Sequence, residues 1–394
     1  MTKEMKDRLA SMLDEIRAQG NYRSIRYVRP LCPATVAHGG KEHLNLCSNS
    51  YLSLHLHPAV MAAAGSALDE YGTGTCSSRS VSGSIDLYEG LETAVARYKG
   101  YKKGLIFPTG YMANIGIVST IPVKGDVIFS DELNHSSLID AMRLSHAKKV
   151  IYRHRDVEDL ERKLKKYAVP GRSFVITESI FSMDGDMAPL ADIMELRDRY
   201  GFCAVVDDAH GTGIFGRNGS GVEEHWGLKG KADIHMATFG KAMGSFGAFV
   251  LSDPVVIEYL INRARTFMYT TALPPATLAA SQAALELVAG DLSFKEELWR
   301  NIDHMRSGLL SAGFDLKQSV GPIVPIVVGR DADAVKMQKM LMRKGFFLQA
   351  IRPPTVPTGT SRLRLTVVRG FTREQMDSAI EAISEAGRKM KLVP

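Results

Sequence analysis

The sequence predicts an α/β fold with a mainly parallel mixed sheet between helices, followed by a smaller C-terminal α+β domain. Between residues 46 and 288, short apolar runs alternate with helical patterns, as in sheets whose parallel strands are joined by helices. Beyond residue 288 the chain is dominated by longer helical stretches with few strands. We therefore expect an N-terminal helix and arm at residues 1–45, a large domain at 46–288 and a small domain at 289–394.

Hydrophobic periodicity places the elements along the chain. Apolar residues at helical spacing between residues 9 and 16 predict an opening amphipathic helix that ends near Gly20, and a polar, turn-rich passage follows to about Leu46. Buried strands are predicted at residues 105–107, 127–129, 150–152, 174–177, 204–206 and 234–237. Helices are predicted at residues 60–71, 139–145, 157–166 and 190–200. In the small domain we expect helices at 294–312, 333–344 and from Thr372, and strands at 323–328 and 362–367.

The composition favours an ordinary globular enzyme. Hydrophobic residues make up 45% of the chain and charged residues 23%, with a net charge of +6. The basic clusters at residues 162–166 and 388–391 lie on helical patterns, so we expect solvated helix faces and no nucleic-acid partner, although the excess charge helps to attract an anionic substrate such as an acyl-CoA. We also expect no membrane span, because no apolar stretch reaches about 18 residues.

The N-terminal segment and the cysteines predict a cytoplasmic location. The first 20 residues mix charges throughout and lack an apolar core, which a secretory signal would need. The four cysteines form no Cys-x-x-Cys pair and have no histidine at metal-binding spacing. We therefore expect neither a disulfide framework nor a metal site, and a reducing compartment.

Charged side chains follow the predicted strand at 204–206. In VVDDAHGTG, Asp207, Asp208 and His210 appear where the strand ends, and ligands of open α/β sheets collect at such carboxyl ends. A carboxylate that emerges from a buried strand is costly to keep charged unless a cation meets it. The alternative is an aspartate that only caps a helix or a turn.

A lysine follows the next strand. In ATFGKAMGSFGAF, Lys241 lies between Gly240 and Gly244, so small neighbours leave space for a bulky planar group. A lysine held among apolar neighbours can lose its proton, as imine formation requires. Taken alone, this residue would more often be an ordinary solvated loop lysine.

A third signal is PTGYMANIG, which follows the strand at 105–107 and opens a helix. Thr109, Gly110 and the backbone N–H groups of a helix N-terminus form an anion site. The glycine-rich stretch at residues 72–83 lacks the spacing of a dinucleotide fingerprint and follows a helix. Together, the lysine, the carboxylate and the anion site are what pyridoxal 5'-phosphate needs.

Many motifs over nearly the whole chain carry a family resemblance. They are LNLCSNSYLSL, GTGTCSSRSVSG, PTGYMANIG, DELNHSSLIDA, TESIFSMDGDMAPL, VVDDAHGTG, ATFGKAMG, MYTTALPP and QAIRPPTVPTGTSRLRLTV. In this order they resemble the α-oxoamine synthases, which are fold-type I pyridoxal phosphate enzymes. The resemblance implies a decarboxylating condensation of an amino acid with an acyl-CoA or an acyl-carrier protein, in a homodimer with shared active sites.

The resemblance also implies roles at the cofactor. Lys241 matches the lysine that holds the cofactor and later removes the Cα proton, and Asp207 matches the partner of the pyridine nitrogen. His135 matches the histidine stacked on the ring; outside its motif it would be an ordinary core or surface histidine. His210 matches the histidine near the cofactor's phenolic oxygen. The other implied cofactor contacts are Thr109, Gly110, Tyr111, Glu178, Ser182, Thr238 and, toward the neighbouring subunit's phosphate, Thr270 and Thr271.

Three residues are implied to contact the substrates. Arg364 matches the arginine that binds the amino-acid carboxylate, a task that suits a planar guanidinium fork. Asn49 matches a polar residue on the amino-acid side, and Thr355 matches a hydroxyl near the acyl group. The sequence departs from the family pattern at Ser50 and Ser53, and at Tyr88 where a histidine is common, which leaves acyl-chain specificity open.

L-Alanine with pimeloyl-CoA, or its carrier-protein equivalent, is the substrate pair that the resemblance favours. The stretch PPTVPTGTSRLRL differs from what we expect of glycine C-acetyltransferases. The alternatives are glycine with another acyl-CoA, serine with palmitoyl-CoA, or an aminotransferase or β-eliminating lyase of the same fold. A structural subunit that has lost its lysine is disfavoured, because Lys241, Asp207 and His135 are all present.

Overall fold

The computed structural model describes all residues from 1 to 394. Backbone contacts divide the chain into two units. The larger unit comprises Asn49–Ser182 and Asp186–Glu297, and the smaller unit comprises Met1–Ser48, Met183–Gly185 and Leu298–Pro394.

The regular elements follow in chain order. The strands are β1 (Arg29–Cys32), β2 (Thr35–His38), β3 (Lys41–Asn45), β4 (Lys103–Phe107), β5 (Val127–Asp131), β6 (Lys148–Tyr152), β7 (Ser173–Glu178), β8 (Cys203–Asp207), β9 (Ile234–Thr238), β10 (Ala248–Ser252), β11 (Ile323–Gly329), β12 (Phe346–Phe347), β13 (Ala350–Ile351) and β14 (Ser361–Thr366). The helices are α1 (Lys3–Ala18), α2 (Pro58–Tyr71), α3 (Leu87–Lys99), α4 (Gly110–Val118), α5 (Ser136–Leu144), α6 (Val157–Tyr167), α7 (Leu190–Tyr200), α8 (Val222–His225), α9 (Pro254–Arg263), α10 (Arg265–Met268), α11 (Pro275–Gly290), α12 (Ser293–Ser311), α13 (Asp331–Arg343) and α14 (Arg373–Lys389).

The larger unit is built on a seven-stranded mixed sheet. Its strand order is β4-β10-β9-β8-β7-β5-β6. The pairs from β9 through β8, β7 and β5 to β6 are parallel, and β10 runs antiparallel to both of its neighbours. This is the α/β architecture that the alternation of strands and helices predicts.

The central strands are covered on both faces. All residues of β5 and β7 are buried, and strands of this kind are continuous apolar runs without alternation. Every strand predicted between residues 105 and 237 occurs, each one or two residues longer than its apolar run. The structure extends them because polar end residues such as Asp131 and Glu178 also pair with the neighbouring strand.

The carboxyl ends of three adjacent strands lie in register. Glu178 of β7 is paired with Asp207 of β8, and Asp207 is paired with Met236 of β9. The chain therefore delivers two carboxyl side chains to the same edge of the sheet, as ligand sites in open α/β sheets require.

The smaller unit contains two short sheets. One has the order β11-β14-β13 and the other β1-β2-β3-β12. The expectation of a strandless passage up to Leu46 is wrong, because β1, β2 and β3 form an antiparallel meander there. These strands have four or five residues each, and β3 pairs with β12 about three hundred residues away, so local periodicity does not reveal them.

The helix boundaries follow their capping residues. α14 begins after Thr372, which forms a capping box with Gln375, as predicted for the last helix. α5 begins three residues before the predicted start because His135 caps it. No residue of α1 is buried. None of the helices combines the length and the apolar character that crossing a membrane demands.

Candidate active site

A cavity of about 200 Å³ lies at the carboxyl ends of β7, β8 and β9. It is lined by Gly110, Tyr111, Asn114, His135, Ser137, Glu178, Asp207, Ala209, His210, Met236, Thr238 and Lys241. Eight of these are residues that the sequence predicts for the site. Asn114, Ser137, Ala209 and Met236 were not predicted.

Lys241 enters the cavity from the turn between β9 and β10. The turn is closed by a hydrogen bond of 2.9 Å from the Gly244 N–H to the Lys241 carbonyl. Gly244 has a φ of +64°, and a Cβ there would lie 2.3 Å from the backbone nitrogen of His55. Only glycine therefore permits this close approach. The Lys241 Nζ lies 2.9 Å from the His210 Nε2.

His210 is itself held from the other side of its ring. Its Nδ1 lies 2.8 Å from the phenol oxygen of Tyr51, which is fully buried. The Tyr51 hydroxyl also lies 3.2 Å from the Asn49 Oδ1, to which it can donate. A His210 ring protonated on Nδ1 would then present its Nε2 lone pair to Lys241. Asn49 thus connects to the cavity through Tyr51, a residue that sequence reasoning missed as a functional group.

Asp207 has a donor on each carboxylate oxygen. Its Oδ1 accepts from the Ala209 N–H at 3.0 Å, and its Oδ2 accepts from the Asn114 Nδ2 at 2.8 Å. The two donors fix the orientation of the carboxylate. The side chain is nearly buried, so its charge acts in a poorly solvated space.

Glu178 is the second carboxyl group of the cavity. Burial raises its pKa well above the ordinary value, and the negative charge of Asp207 raises it further. Its Oε1 is buried and has no hydrogen-bond partner in the protein. The cavity therefore brings together a carboxyl group on β7 whose protonated form is favoured and a carboxyl group on β8 that has a donor on each oxygen.

His135 lies at the N-terminus of α5 and caps that helix. Its Nδ1 accepts from the Ser137 N–H at 3.2 Å and lies 2.8 Å from the Ser137 hydroxyl. Burial lowers the pKa of His135, the charge of Asp207 partly opposes that shift, and Lys241 lowers the pKa further. Burial and Lys241 together therefore disfavour the imidazolium form of His135.

The N-terminus of α4 opens into the same cavity. Thr109 caps the helix by accepting from the Met112 N–H at 3.1 Å. A Cβ on Gly110 would meet no atom nearer than 3.8 Å, so the glycine leaves space beside the first N–H groups of the helix. Thr238 faces this end and donates to the Gly247 carbonyl at 2.7 Å. Such a helix end is suited to a phosphate.

Several predicted residues do not line the cavity. Ser182 follows β7 and is buried. Thr271, which directly follows Thr270, forms an isolated β-bridge with Ser78. Arg364 and Thr355 belong to the smaller unit. There, Arg364 is a nearly buried residue of β14 paired with Pro325, and Thr355 lies in an exposed turn.

Comparisons with known proteins find relatives that match most or all of the chain. The profile of the family described as aminotransferase class I and II matches residues 41–383. The 8-amino-7-oxononanoate synthase of Geobacter sulfurreducens is 43% identical over 387 residues, which are 98% of this chain and 99% of that protein. A solved serine palmitoyltransferase from S. paucimobilis with bound PLP has a TM-score of 0.93 at 30% identity and covers 100% of both chains. An 8-amino-7-oxononanoate synthase from Francisella tularensis has a TM-score of 0.77 at 27% identity, covering 89% of this chain and 99% of its own.

The cavity fits the cofactor that the sequence predicts. Pyridoxal phosphate needs an amine, a carboxylate for its ring nitrogen and an anion site for its phosphate, and Lys241, Asp207 and the N-terminus of α4 have these properties. The buried Glu178 Oε1 that lacks a protein partner is a further sign that the space is shaped for a polar ligand.

Proposed function

Because the chain belongs to the α-oxoamine synthases, a family of pyridoxal phosphate enzymes, we propose that it is an 8-amino-7-oxononanoate synthase. It would condense L-alanine with pimeloyl-CoA, or with a pimeloyl-carrier protein, and release carbon dioxide in a step of biotin biosynthesis. The observation that supports this most strongly is the Lys241–His210–Asp207 constellation in one cavity. Relatives named 8-amino-7-oxononanoate synthase, about 43% identical over the full length, support the substrate pair.

Pyridoxal phosphate, when bound, supplies an aldehyde that captures amines and a ring that accepts the electron pair left at Cα. Lys241 is the amine that holds it and, once released by the amino-acid substrate, the base that takes the Cα proton. The His210 Nε2, 2.9 Å away, accepts a proton from the Lys241 ammonium. Lys241 thereby becomes the neutral amine that both tasks require.

Asp207 would pair with the protonated ring nitrogen, and its two fixed donors orient the carboxylate for that contact. His135 would stack on the ring as a neutral imidazole. Thr109, Gly110, Tyr111 and Thr238 would hold the phosphate at the N-terminus of α4. Glu178 would line the remaining wall, and a cofactor contact of Ser182, which does not line the cavity, rests on the family resemblance alone.

The substrate contacts rest on the family resemblance. Arg364 would bind the amino-acid carboxylate through its guanidinium fork, Asn49 would lie on the amino-acid side, and Thr355 would lie near the acyl group. In a homodimer with shared sites, Thr270 and Thr271 of each chain would reach the cofactor phosphate of the other. We place the protein in the cytoplasm, where its acyl thioester substrates are made.

The test measures CoA release by the purified holoenzyme across a grid of amino acids and acyl thioesters. We expect release with L-alanine and pimeloyl-CoA together and none when either is omitted. Lys241→Ala abolishes turnover, whereas Lys231→Ala, at an exposed lysine of the same unit, leaves it unchanged. Turnover with a keto acid and no thioester, as in an aminotransferase, would contradict the proposal.

A second candidate is a serine palmitoyltransferase. The solved structures with a TM-score of 0.93 bear that name, although their identity of 30% is lower than that of the 8-amino-7-oxononanoate synthases. Release of CoA from palmitoyl-CoA with L-serine, and not from pimeloyl-CoA with L-alanine, would favour it. Glycine with acetyl-CoA is the third pair of the grid.

A further inference from the structure

We propose that Asn114 and Ser137 are positioning residues of this site. They form a one-way chain of hydrogen bonds that orients the Asp207 carboxylate at one end and fixes His135 as its Nε2–H tautomer at the other. This inference rests on the proposed function for the roles of Asp207 and His135 toward the cofactor. The hydrogen-bond chain itself is a property of the protein alone.

The amide of Asn114 is the centre of the chain. Its Nδ2 lies 2.8 Å from the Asp207 Oδ2 and 2.8 Å from the Ser137 Oγ, so each of its two protons has an acceptor. A reversed amide would place its oxygen against the carboxylate oxygen of Asp207, with no proton between them. The Asn114 Oδ1 is buried without a partner, and the amide orientation is therefore determined by its nitrogen.

Ser137 connects Asn114 to His135 and determines the direction of the second hydrogen bond. Because its oxygen accepts from Asn114, its single hydroxyl proton is available for the His135 Nδ1, 2.8 Å away. The Ser137 backbone N–H, which cannot reverse, points at the same nitrogen at 3.2 Å. Two donors converge on Nδ1, so this nitrogen carries no proton and the ring proton resides on Nε2.

The surroundings of Asn114 indicate that the residue is not there for stability. It lies in α4, whose sequence GYMANIGIV is otherwise almost entirely apolar, and it is only 1% exposed. Burying an amide with one unsatisfied oxygen costs free energy, and leucine is the better helix former. The rest of the helix is apolar, whereas the Asp207 Oδ2 needs a donor at this position.

The chain has a chemical consequence at the ring. Asn114 and the Ala209 N–H each occupy one oxygen of Asp207, which fixes the plane of the carboxylate that meets the ring nitrogen. A protonated His135 would compete for the charge of Asp207 and would repel a protonated ring nitrogen by like charge. The tautomer set by Ser137 avoids both effects.

The first measurement is ¹⁵N NMR of histidine-labelled protein without cofactor. His135 should show a protonated Nε2 and an unprotonated Nδ1 at pH 7. In Ser137→Ala the Nδ1 resonance should move toward that of an unbonded nitrogen, and in Ser137→Thr, which keeps the hydroxyl, it should stay near its wild-type position. A protonated Nδ1 or an imidazolium in the wild-type protein would overturn the proposal, whatever reaction the enzyme catalyses.

The second measurement is the affinity for pyridoxal phosphate, followed together with thermal unfolding. Asn114→Leu should weaken binding about 10–100-fold, as expected for losing a hydrogen bond to a charged group, without lowering the melting temperature of the cofactor-free protein. The isosteric Asn114→Asp should weaken binding more, because it sets a second carboxylate against Asp207. Ser119→Ala, a hydroxyl lost at the far end of α4, should change neither quantity.

Affinity within twofold of wild type in both Asn114 variants would refute the positioning role. If Asn114→Leu fails to fold, the cofactor affinity of Asn114→Asp and the NMR comparison of Ser137→Ala with Ser137→Thr test the positioning role instead. The proposed function can fail independently, since an enzyme that does not release CoA from pimeloyl-CoA would still report the His135 tautomer and the cofactor affinity.

Discussion

Asp207 and Asp208 are adjacent at the end of β8, and their carboxylates have opposite surroundings. Asp207 faces the cavity with one donor on each oxygen. Asp208 points into the protein behind it, where it is completely buried and accepts from the Lys99 ammonium at 2.7 Å and the Ser179 hydroxyl at 2.6 Å. Thr212 donates to Asp208 at 2.9 Å.

The difference separates a structural charge from a functional one. Burial opposes the charge of Asp208, but Lys99 and His235 hold its pKa below the ordinary value. Asp208 and Lys99 neutralise each other within the protein. In the cavity, by contrast, Asp207 has no arginine or lysine at such a distance, and the Glu178 Oε1 has no hydrogen-bond partner. Buried polar groups that are fully paired within the protein stabilise the fold, whereas buried polar groups that lack a protein partner indicate a ligand site.

The largest effect is expected from Asp207→Asn. The amide cannot balance a protonated ring nitrogen, and removing one partner of a buried ion pair costs about 3–5 kcal/mol, equivalent to a loss of roughly 10²–10⁴-fold in kcat. CoA release under saturating substrates measures it. The melting temperature of the cofactor-free variant should match the wild type, and a collapse of stability instead would mean that Asp207 is structural.

Lys99→Met should give the mirror image of that result. It leaves Asp208 buried without its cation, so the free energy of unfolding should fall by about 3–5 kcal/mol in urea titrations. The matched control is Lys102→Met, which breaks an exposed pair with Asp253 and should have little effect, because solvent screens such pairs. Equal losses in the two variants would contradict the distinction drawn at β8.

His154 should make stability depend on pH. Burial alone lowers the pKa of His154, but hydrogen bonds to Asp131 and Asp186 outweigh it and raise the pKa from 6.5 to about 9. Because the folded pKa is the higher one, this stabilisation is complete below about pH 6.5 and is lost as the pH rises through about 9.

Urea titrations across that pH range measure the effect as a difference between variants. The gap in unfolding free energy between wild type and His154→Gln should be widest below pH 6.5 and should narrow toward the alkaline end. His146→Gln, at an exposed histidine, serves as the control. A difference in unfolding free energy that widens with rising pH would refute the ion pairs of a charged His154 with Asp131 and Asp186.

The smallest effect is expected from Glu178→Gln. The raised pKa of Glu178 favours the neutral carboxyl group. An amide of the same shape then replaces it, and the free energy of unfolding should change by about 1 kcal/mol or less. Cofactor affinity should also stay close to that of the wild type. A marked rise in stability would show that Glu178 carried a charge beside Asp207.

The sequence was informative wherever chemistry follows a continuous apolar run. Asp207 and Lys241 were predictable because each comes directly after a buried strand, and parallel strands bring their carboxyl ends together. The Lys99–Asp208 pair was not predictable, since the two residues are 109 positions apart and periodicity carries no information on distant pairs. Asn114 was not predicted either, because a single polar residue within an apolar helix gives no local pattern that marks it as functional.

The smaller unit shows where local patterns fail. The sequence predicts a turn-rich passage where β1 to β3 lie. These short strands are stabilised by pairing with one another and with the distant β12, and the local sequence pattern does not reveal such pairing. The substrate roles of Arg364, Thr355 and Asn49 and the intersubunit roles of Thr270 and Thr271 stay predictions from the family resemblance.

The central claim is that Lys241 holds the cofactor, and peptide mapping after borohydride reduction of the holoenzyme tests it most directly. Reduction fixes pyridoxal phosphate covalently to the amine that carries it. The account predicts a single modified peptide whose fragment masses place the added group on Lys241. A modification at another lysine, or a holoenzyme that carries none, would contradict it.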